Sequence, residues 1–88
     1  MKLRSDLRLR KIGSQYMIVE PAGGGNRQAK VFELNETAAL IWERIGSEEI
    51  NAEELAAYLS SEYEIDQAVA LRDVRRQLEE WEKFGLTV

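Results

Sequence analysis

The apolar residues in the first third of the chain alternate with polar ones, which is the period of a β-strand. Over residues 7–12 the two leucines fall on one face and the two arginines on the other. Residues 15–20 are rich in aromatic and β-branched side chains, and residues 29–34 place Phe32 and Leu34 on a shared face. Turn-like connections between these segments predict an antiparallel meander of three strands.

After the third strand the hydrophobic spacing changes to that of an α-helix. Residues that favour the N-cap position precede three such patterns, and these are Asn35, Asn51 and Asp66. The predicted helices cover residues 36–46, 52–63 and 67–84, after which residues 86–88 can fold back as a short extension. The side chains expected in the core are Trp42 of the first helix, Leu55, Tyr58, Leu59 and Tyr63 of the second, and Leu71, Val74, Leu78 and Trp81 of the third.

The length of the chain fits a single domain. With 88 residues, two independent cores would each be too small to fold unaided. The small sheet needs the helices to bury its apolar face. We therefore predict one α+β domain over residues 1–88, with the strands first and the helices after them.

The composition narrows the range of functions. Hydrophobic residues make up 44% of the chain and charged residues 32%, the balance of a soluble globular protein. Cysteine and histidine do not occur, which excludes disulfides and removes the commonest general base and zinc ligand. No apolar run approaches the length of a membrane span, and no signal peptide follows the first methionine. We expect a cytoplasmic protein that is not an enzyme and has neither a cofactor nor a membrane partner.

Charge divides the chain into two parts. Residues 1–30 hold seven basic and two acidic residues, whereas residues 31–88 hold five basic and fourteen acidic ones. The net charge of −4 opposes binding to a phosphate backbone. A winged-helix DNA-binding protein is nevertheless an alternative function, because Arg72, Arg75 and Arg76 cluster on the third helix. Acidic residues beside these arginines would repel phosphates, so we expect no nucleic-acid partner.

Two other features could carry chemistry. The glycine-rich residues 23–26 resemble a phosphate loop, but a phosphate loop leads into a helix and these glycines lead into a strand. We interpret them as a hairpin loop. The glutamate pairs Glu48 with Glu49 and Glu53 with Glu54 could form an acid–base or metal pair, but sequence neighbours do not face each other on a helix. Their simpler role is a favourable interaction with the helix dipole.

The third strand is the most informative element of the predicted fold. At the edge of a meander, its unpaired backbone N–H and C=O groups can accept an extended peptide as a further strand. Alternatively, the edge is covered by the N-terminal arm, covered by another copy of the chain in a structural homodimer, or left bare. The residue spacing by itself does not choose between these alternatives.

A resemblance to a known family bears on this choice. Residues 31–42 read Val-Phe-Glu-Leu-Asn-Glu-Thr-Ala-Ala-Leu-Ile-Trp. This segment resembles the signature of the PQQ synthesis protein D (PqqD) family, in which a strand ends in Leu-Asn and is followed by Thr-Ala and an aliphatic helix. Later segments are similar to the family in the same order, and these are residues 51–63, Asp73 and Val74 with Leu78, and Gly85 with Leu86. The resemblance covers residues 15–88.

The resemblance implies a winged-helix-like domain without catalytic activity of its own. Such domains bind the leader segment of a ribosomally synthesised precursor peptide and deliver it to a modifying enzyme, often a radical SAM protein. The leader would add as a strand beside the third strand and lie against the third helix. Carried over by position, the peptide-binding residues would be Lys30, Val31, Phe32, Glu33 and Leu34 of the strand and Leu71, Arg72, Arg75 and Leu78 of the helix.

The chain departs from the family pattern at two places. Its glycine-rich loop before the third strand is longer than the compact hairpin of the family, and Glu33 stands where members often have a basic or polar residue. Both differences can alter the preference for a leader. PQQ biosynthesis is therefore one of three interpretations, beside another peptide-modification pathway and a family member that has lost its peptide.

Overall fold

The computed structural model describes residues 1–20 and 30–88 and contains three strands followed by three helices. The strands are β1 (Arg8–Ile12), β2 (Gln15–Glu20) and β3 (Lys30–Leu34), and the helices are α1 (Glu36–Ile45), α2 (Ala52–Tyr63) and α3 (Gln67–Lys83). This architecture confirms the predicted α+β class, with element ends that differ from the predicted ones by one residue at most. The predicted start of the third strand at residue 29 and the glycine-rich loop lie outside the described residues. Among the described residues, no helix has the length and apolar character needed to cross a bilayer.

The three strands form one antiparallel sheet in the order β1-β2-β3. Ile18 of the central strand pairs with Leu9 of β1 and Phe32 of β3, so these side chains share one face. Ile18 is fully buried on the side where α1 packs, whereas Ile12 on the opposite face is 58% exposed. The sheet therefore buries one face only, in agreement with the alternation in its sequence.

The helices begin and end at residues with the expected capping chemistry. The side-chain oxygens of Asn35, Asn51 and Asp66 accept hydrogen bonds of 2.7, 3.0 and 2.8 Å from backbone N–H groups at the start of α1, α2 and α3. Gly46 and Gly85 follow the ends of α1 and α3 with φ angles of 56° and 75°, which glycine adopts without steric cost. These local interactions explain why the helix boundaries could be read from the sequence.

Two tryptophans join the helices at the centre of the core. Trp42 of α1 and Trp81 of α3 meet edge to face with ring centroids 5.1 Å apart, and both are buried as predicted. Along the backbone, α3 packs chiefly against α2, whereas α1 contacts all three strands. The prediction that Tyr63 is buried is wrong, since its side chain is 45% exposed. The reason is that α2 ends at this residue, so no later turn of the helix continues its buried side.

The N-terminal arm, defined as residues 1–6, pairs with the end of the chain. Leu3 and Thr87 form an antiparallel bridge, and the N–H of Arg4 donates to the carbonyl oxygen of Leu86 at 3.0 Å. The predicted fold-back of the C-terminal residues is therefore confirmed. The arm does not pair with the edge of β3.

The side chain of Arg4 ties this arm to two further elements. Its guanidinium lies 2.6 Å from a carboxylate oxygen of Asp6 and 3.3 Å from one of Glu20, the last residue of β2. It also donates to the carbonyl oxygen of Gly85 at 3.2 Å, directly after α3. Arg4 thus links the end of β2 to the end of α3. The hydrogen bond from Arg4 holds the pKa of the Asp6 carboxyl below its ordinary value.

Replacing isoleucine by alanine on the two faces of the sheet should have very different effects on stability. Ile18→Ala leaves a cavity in the core and should lower the free energy of unfolding by about 2–5 kcal/mol. Ile12→Ala changes an exposed side chain and should cost less than about 0.5 kcal/mol. Urea denaturation followed by tryptophan fluorescence measures both values. Equal losses would mean that the outer face of the sheet is covered in solution.

Asp6→Asn should remove a part of the stability that depends on pH. The pKa of the Asp6 carboxyl is lowered from 3.8 by the hydrogen bond from Arg4. A carboxyl group with a lowered pKa in the folded state stabilises the fold above its unfolded pKa, and loses this effect as the pH falls through the folded pKa. The unfolding free energies of wild type and variant should therefore differ at neutral pH and converge as the pH falls below 3.8. A difference that is independent of pH would show that Asp6 acts by packing alone.

Candidate functional site

The topology leaves β3 at the edge of the sheet. Within residues 1–20 and 30–88, β3 pairs with β2 on one side and with no strand on the other. Alternate residues of β3 therefore direct backbone N–H and C=O groups away from the sheet. Val31, the second residue of β3, is 57% exposed on the outer face of the sheet. Of the alternatives left open by the sequence, cover by the N-terminal arm is excluded, because that arm pairs with the C-terminal residues.

A groove runs beside this edge, between β3 and the C-terminal half of α3. Its volume is about 360 Å³. The rings of Phe32 and Phe84 contact each other in its lining, with centroids 5.9 Å apart and an angle of 47° between their planes. We call this cavity the β3 groove, and its lining residues are Val31, Phe32, Glu33, Leu34, Asn35, Ala38, Gln77, Glu80, Trp81, Phe84 and Leu86. An exposed strand edge thus lies beside a groove in which aromatic and leucine side chains stand next to polar ones.

A second cavity continues the β3 groove toward the middle of α3. Its volume is about 530 Å³, and it lies between the start of α1, the end of α2 and α3. We call it the α3 cavity, and its lining residues are Asn35, Thr37, Ala38, Ile41, Leu59, Tyr63, Ile65, Ala70, Asp73, Arg76, Gln77 and Glu80. Four residues line both cavities, and these are Asn35, Ala38, Gln77 and Glu80. The two spaces are therefore neighbours along one face of α3.

The strand residues selected from the sequence lie at the β3 groove. Val31, Phe32, Glu33 and Leu34 line it, and Lys30 is the exposed first residue of the same strand. Phe32 and Leu34 point toward the helices, because they pair with Ile18 and Tyr16 on the buried face of the sheet. The structure therefore brings this part of the predicted site together.

The helix residues selected from the sequence lie away from the β3 groove. Leu78 is buried in the core with 6% of its surface exposed, and Leu71 packs half-buried against the same core. Arg75 lies 3.3 Å from Glu53 of α2, and Arg72 lies 3.6 Å from its neighbour in α3. Leu71 and Leu78 therefore belong to the core side, Arg75 to the flank of α3 that faces α2, and Arg72 to the exposed side of the helix. None of them lines either cavity.

The opposite flank of α3 supplies the groove residues that sequence reasoning did not select. Gln77, Glu80 and Phe84 recur at helical spacing on this flank, and Trp81 lies between them and the core. In the sequence, the features that could have pointed to this flank were the polar residue at 77 and the aromatic residue at 84. The exposure of Phe84 is known only from the structure. Among the buried polar side-chain atoms of the described residues, only Trp81 Nε1 has no hydrogen-bond partner.

The chemistry of this site is that of binding. It offers backbone hydrogen-bonding groups along β3, an apolar floor, and charged side chains at the rim. In the part of the chain that the structure describes, no three acidic side chains are grouped so as to hold a metal ion. The glutamate pairs considered from the sequence lie outside both cavities.

Comparison with known proteins gives a consistent result. The family model for coenzyme PQQ synthesis protein D (PqqD) matches residues 15–86. The solved structure of TbiB1 in complex with the TbiA(beta) leader peptide is 21% identical, with a TM-score of 0.76 over 99% of this chain and 94% of that chain. Lasso peptide synthetase B1 complexed with the leader peptide is 25% identical, with a TM-score of 0.74 over 99% of this chain and 95% of that chain. The search of curated proteins finds no match.

Amide hydrogen exchange should reveal the free edge of β3. The amides of β3 that bond to β2 should exchange slowly, whereas the alternate amides directed outward should exchange rapidly, because no strand of the described chain accepts their hydrogen bonds. Exchange followed by NMR at increasing dilution measures the pattern over residues 30–34. Uniform protection that persists on dilution would mean that the chain covers its own edge. Protection that disappears on dilution would indicate pairing between copies.

Proposed function

This chain belongs to the coenzyme PQQ synthesis protein D (PqqD) family, and on that premise we propose that it is a non-catalytic peptide-binding adaptor. Its ligand is the leader segment of a ribosomally synthesised precursor peptide, which binds as an additional strand beside β3. The single observation that carries this proposal is the edge of β3, which pairs with no strand among residues 1–20 and 30–88, next to a groove that contains aromatic and leucine side chains. The two features together suit an extended peptide, because the edge takes its backbone and the groove takes its side chains.

The backbone of β3 would supply register and part of the affinity. Each hydrogen bond between strands contributes about 0.5–1.5 kcal/mol net, so several are needed for a useful interaction. Residues Lys30–Leu34 are the strand positions proposed to make them. Because these bonds do not depend on side chains, they provide little discrimination between peptides.

The β3 groove would supply the discrimination. Successive side chains of a bound strand point alternately to its two sides, so every second side chain of the leader enters the groove. There it meets the rings of Phe32 and Phe84 and the apolar floor near Leu34 and Leu86. A leader with apolar residues at alternate positions fits this arrangement. The proposed contacts are therefore Gln77, Glu80 and Trp81 of α3 and Phe84, the residue that caps its C-terminal end.

One of the two solved structures compared above supports the assignment of the ligand class. Lasso peptide synthetase B1, complexed with the leader peptide, is 25% identical to this chain over nearly the whole of both chains. TbiB1 is also a complex with a leader peptide, but at 21% identity its likeness supports the common fold alone.

We also propose that the bound leader is presented to a separate modifying enzyme. A leader that pairs with β3 becomes the new edge strand of the sheet. The rest of the precursor then extends away from the adaptor. The family resemblance favours a radical SAM protein as this enzyme, and PQQ biosynthesis as one pathway. The likeness to lasso peptide synthetase B1 favours a different modifying enzyme in the same role. A reading frame for a short precursor encoded next to the gene, together with the adjacent enzyme, would distinguish these two pathways.

Two alanine substitutions on opposite flanks of α3 test the proposed binding surface. Phe84→Ala removes an aromatic wall of the β3 groove. It should weaken binding of a synthetic leader peptide by about tenfold, where the peptide has the leader sequence of a short precursor encoded next to the gene. Arg75→Ala changes the flank that faces α2 and should alter the dissociation constant by less than about twofold. Isothermal titration calorimetry measures both constants.

Amide NMR during the same titration provides the control. Shifts should concentrate at residues 30–34 and in the C-terminal half of α3. If Arg75→Ala weakens binding as much as Phe84→Ala, the peptide lies on the flank of α3 first selected from the sequence. Shifts confined to regions away from β3 and α3 would contradict strand addition. Duplex DNA at low salt, added in place of the peptide, tests the winged-helix DNA-binding alternative.

A further inference from the structure

The α3 cavity is larger than the β3 groove, and no residue of β3 lines it. Its floor is apolar and formed by buried side chains of α1, α2 and α3, which are Ala38, Ile41, Leu59 and Ala70. At its mouth, Tyr63 is 45% and Ile65 37% exposed. Its volume of about 530 Å³ lies within the usual range of ligand pockets. The cavity therefore offers apolar surface that the folded chain leaves in contact with water.

We propose that the α3 cavity is an anchor subsite for one bulky apolar side chain of the peptide that binds beside β3. This inference rests on the proposed function and adds a second recognition point to it. The anchor residue lies four residues along the peptide from the residue that contacts Phe32 and Phe84. The substrate class is thus an extended peptide with two large apolar residues at this separation.

The continuity of the two cavities supports a single ligand. Gln77 and Glu80 of α3, with Asn35 and Ala38 at the start of α1, line both spaces. Because these four residues line both spaces, the cavity adjoins the groove, and a peptide that extends beyond Leu34 can reach it.

The geometry of α3 gives the separation of the two recognition points. The α3 residues that line the cavity run from Ala70 to Glu80, and the midpoint of this range is nine residues before Phe84. At a rise of about 1.5 Å per residue this distance is about 13 Å. An extended peptide covers about 3.3 Å per residue, so about four residues span it. An even number also places both side chains on the same side of the peptide, as two neighbouring cavities require.

The lining of the cavity indicates the chemistry of the anchor. The floor carries no charged group, and the ring of Tyr63 forms part of the wall. The charged side chains Asp73, Arg76 and Glu80 are all exposed and stand at the rim. An aromatic or large aliphatic side chain would cover the exposed parts of Tyr63 and Ile65, and burial of such a side chain is the source of the affinity.

A variant in which a larger side chain fills the α3 cavity, together with a matched control variant, tests this subsite. Thr37 is exposed and lines the α3 cavity without lining the β3 groove, so Thr37→Phe should fill the cavity from its mouth. Glu43 is exposed on the same helix and lines neither space, so Glu43→Phe is the control. The probe is the peptide most enriched from a display library of random linear peptides selected on the wild-type protein.

The inference predicts a specific pattern in this selection. Enriched peptides should carry two bulky apolar residues four positions apart. Thr37→Phe should weaken binding of the probe about tenfold, and Glu43→Phe should leave it within about twofold. Replacing the anchor residue of the probe by alanine should weaken binding to wild type by a similar factor, and should cause little further loss with Thr37→Phe. If Thr37→Phe does not fold, Ile65→Asp replaces it, because Ile65 is also partly exposed at the cavity mouth.

The outcomes separate this inference from the proposed function. If the selected peptides shift the amides of residues 30–34 but show one apolar position and bind Thr37→Phe like wild type, the anchor subsite is wrong and strand addition stands. If the peptides shift Tyr63 and Ile65 without shifting residues 30–34, the cavity binds by itself and strand addition is wrong. If no peptide is enriched over an unrelated protein, both the subsite and the proposed function are contradicted.

Discussion

Burial of one face of a small sheet is the constraint on which the rest of the structure depends. Three strands of five or six residues cannot form a core alone, so Ile18 and Leu34 need helices above them. α1 provides this cover by contacting all three strands, and the contact between Trp42 and Trp81 then joins α3 to the same core. Because the backbone of α3 packs chiefly on α2, it stays apart from β3, and the space left between them is the β3 groove.

The position of α3 beside β3 changes which extended chains can pair with the exposed strand edge. An unpaired edge is usually a liability, because it can pair with any other extended chain. Here α3 lies beside the edge. The rings of Phe32 and Phe84 lie where a side chain of an added strand would contact them. In the proposed function, the sheet offers an interaction that does not depend on the peptide sequence, and the helix restricts it to peptides whose side chains fit. On that proposal, specificity depends on the position of α3 more than on the residues of β3.

The position of α3 is fixed in part by residues outside the family match. The match begins at residue 15, whereas the N-terminal arm comprises residues 1–6. Within this arm, Arg4 bonds to the carbonyl oxygen of Gly85 and to the carboxylate of Glu20. Gly85 directly follows Phe84, so the arm holds the end of the helix that forms one wall of the groove. One wall of the β3 groove is thus secured by a segment that precedes the family match.

The sequence by itself determined the local features of this protein. Strand alternation, the N-cap residues and the terminal glycines act over a few residues, and for that reason the element bounds and the edge position of β3 could be predicted. The tertiary structure decided which flank of α3 faces the strand. Periodicity identifies the buried seam of Val74 and Trp81, but residues on its two sides have the same spacing. Only packing against α2, where Arg75 meets Glu53, places Gln77 and Phe84 at the groove.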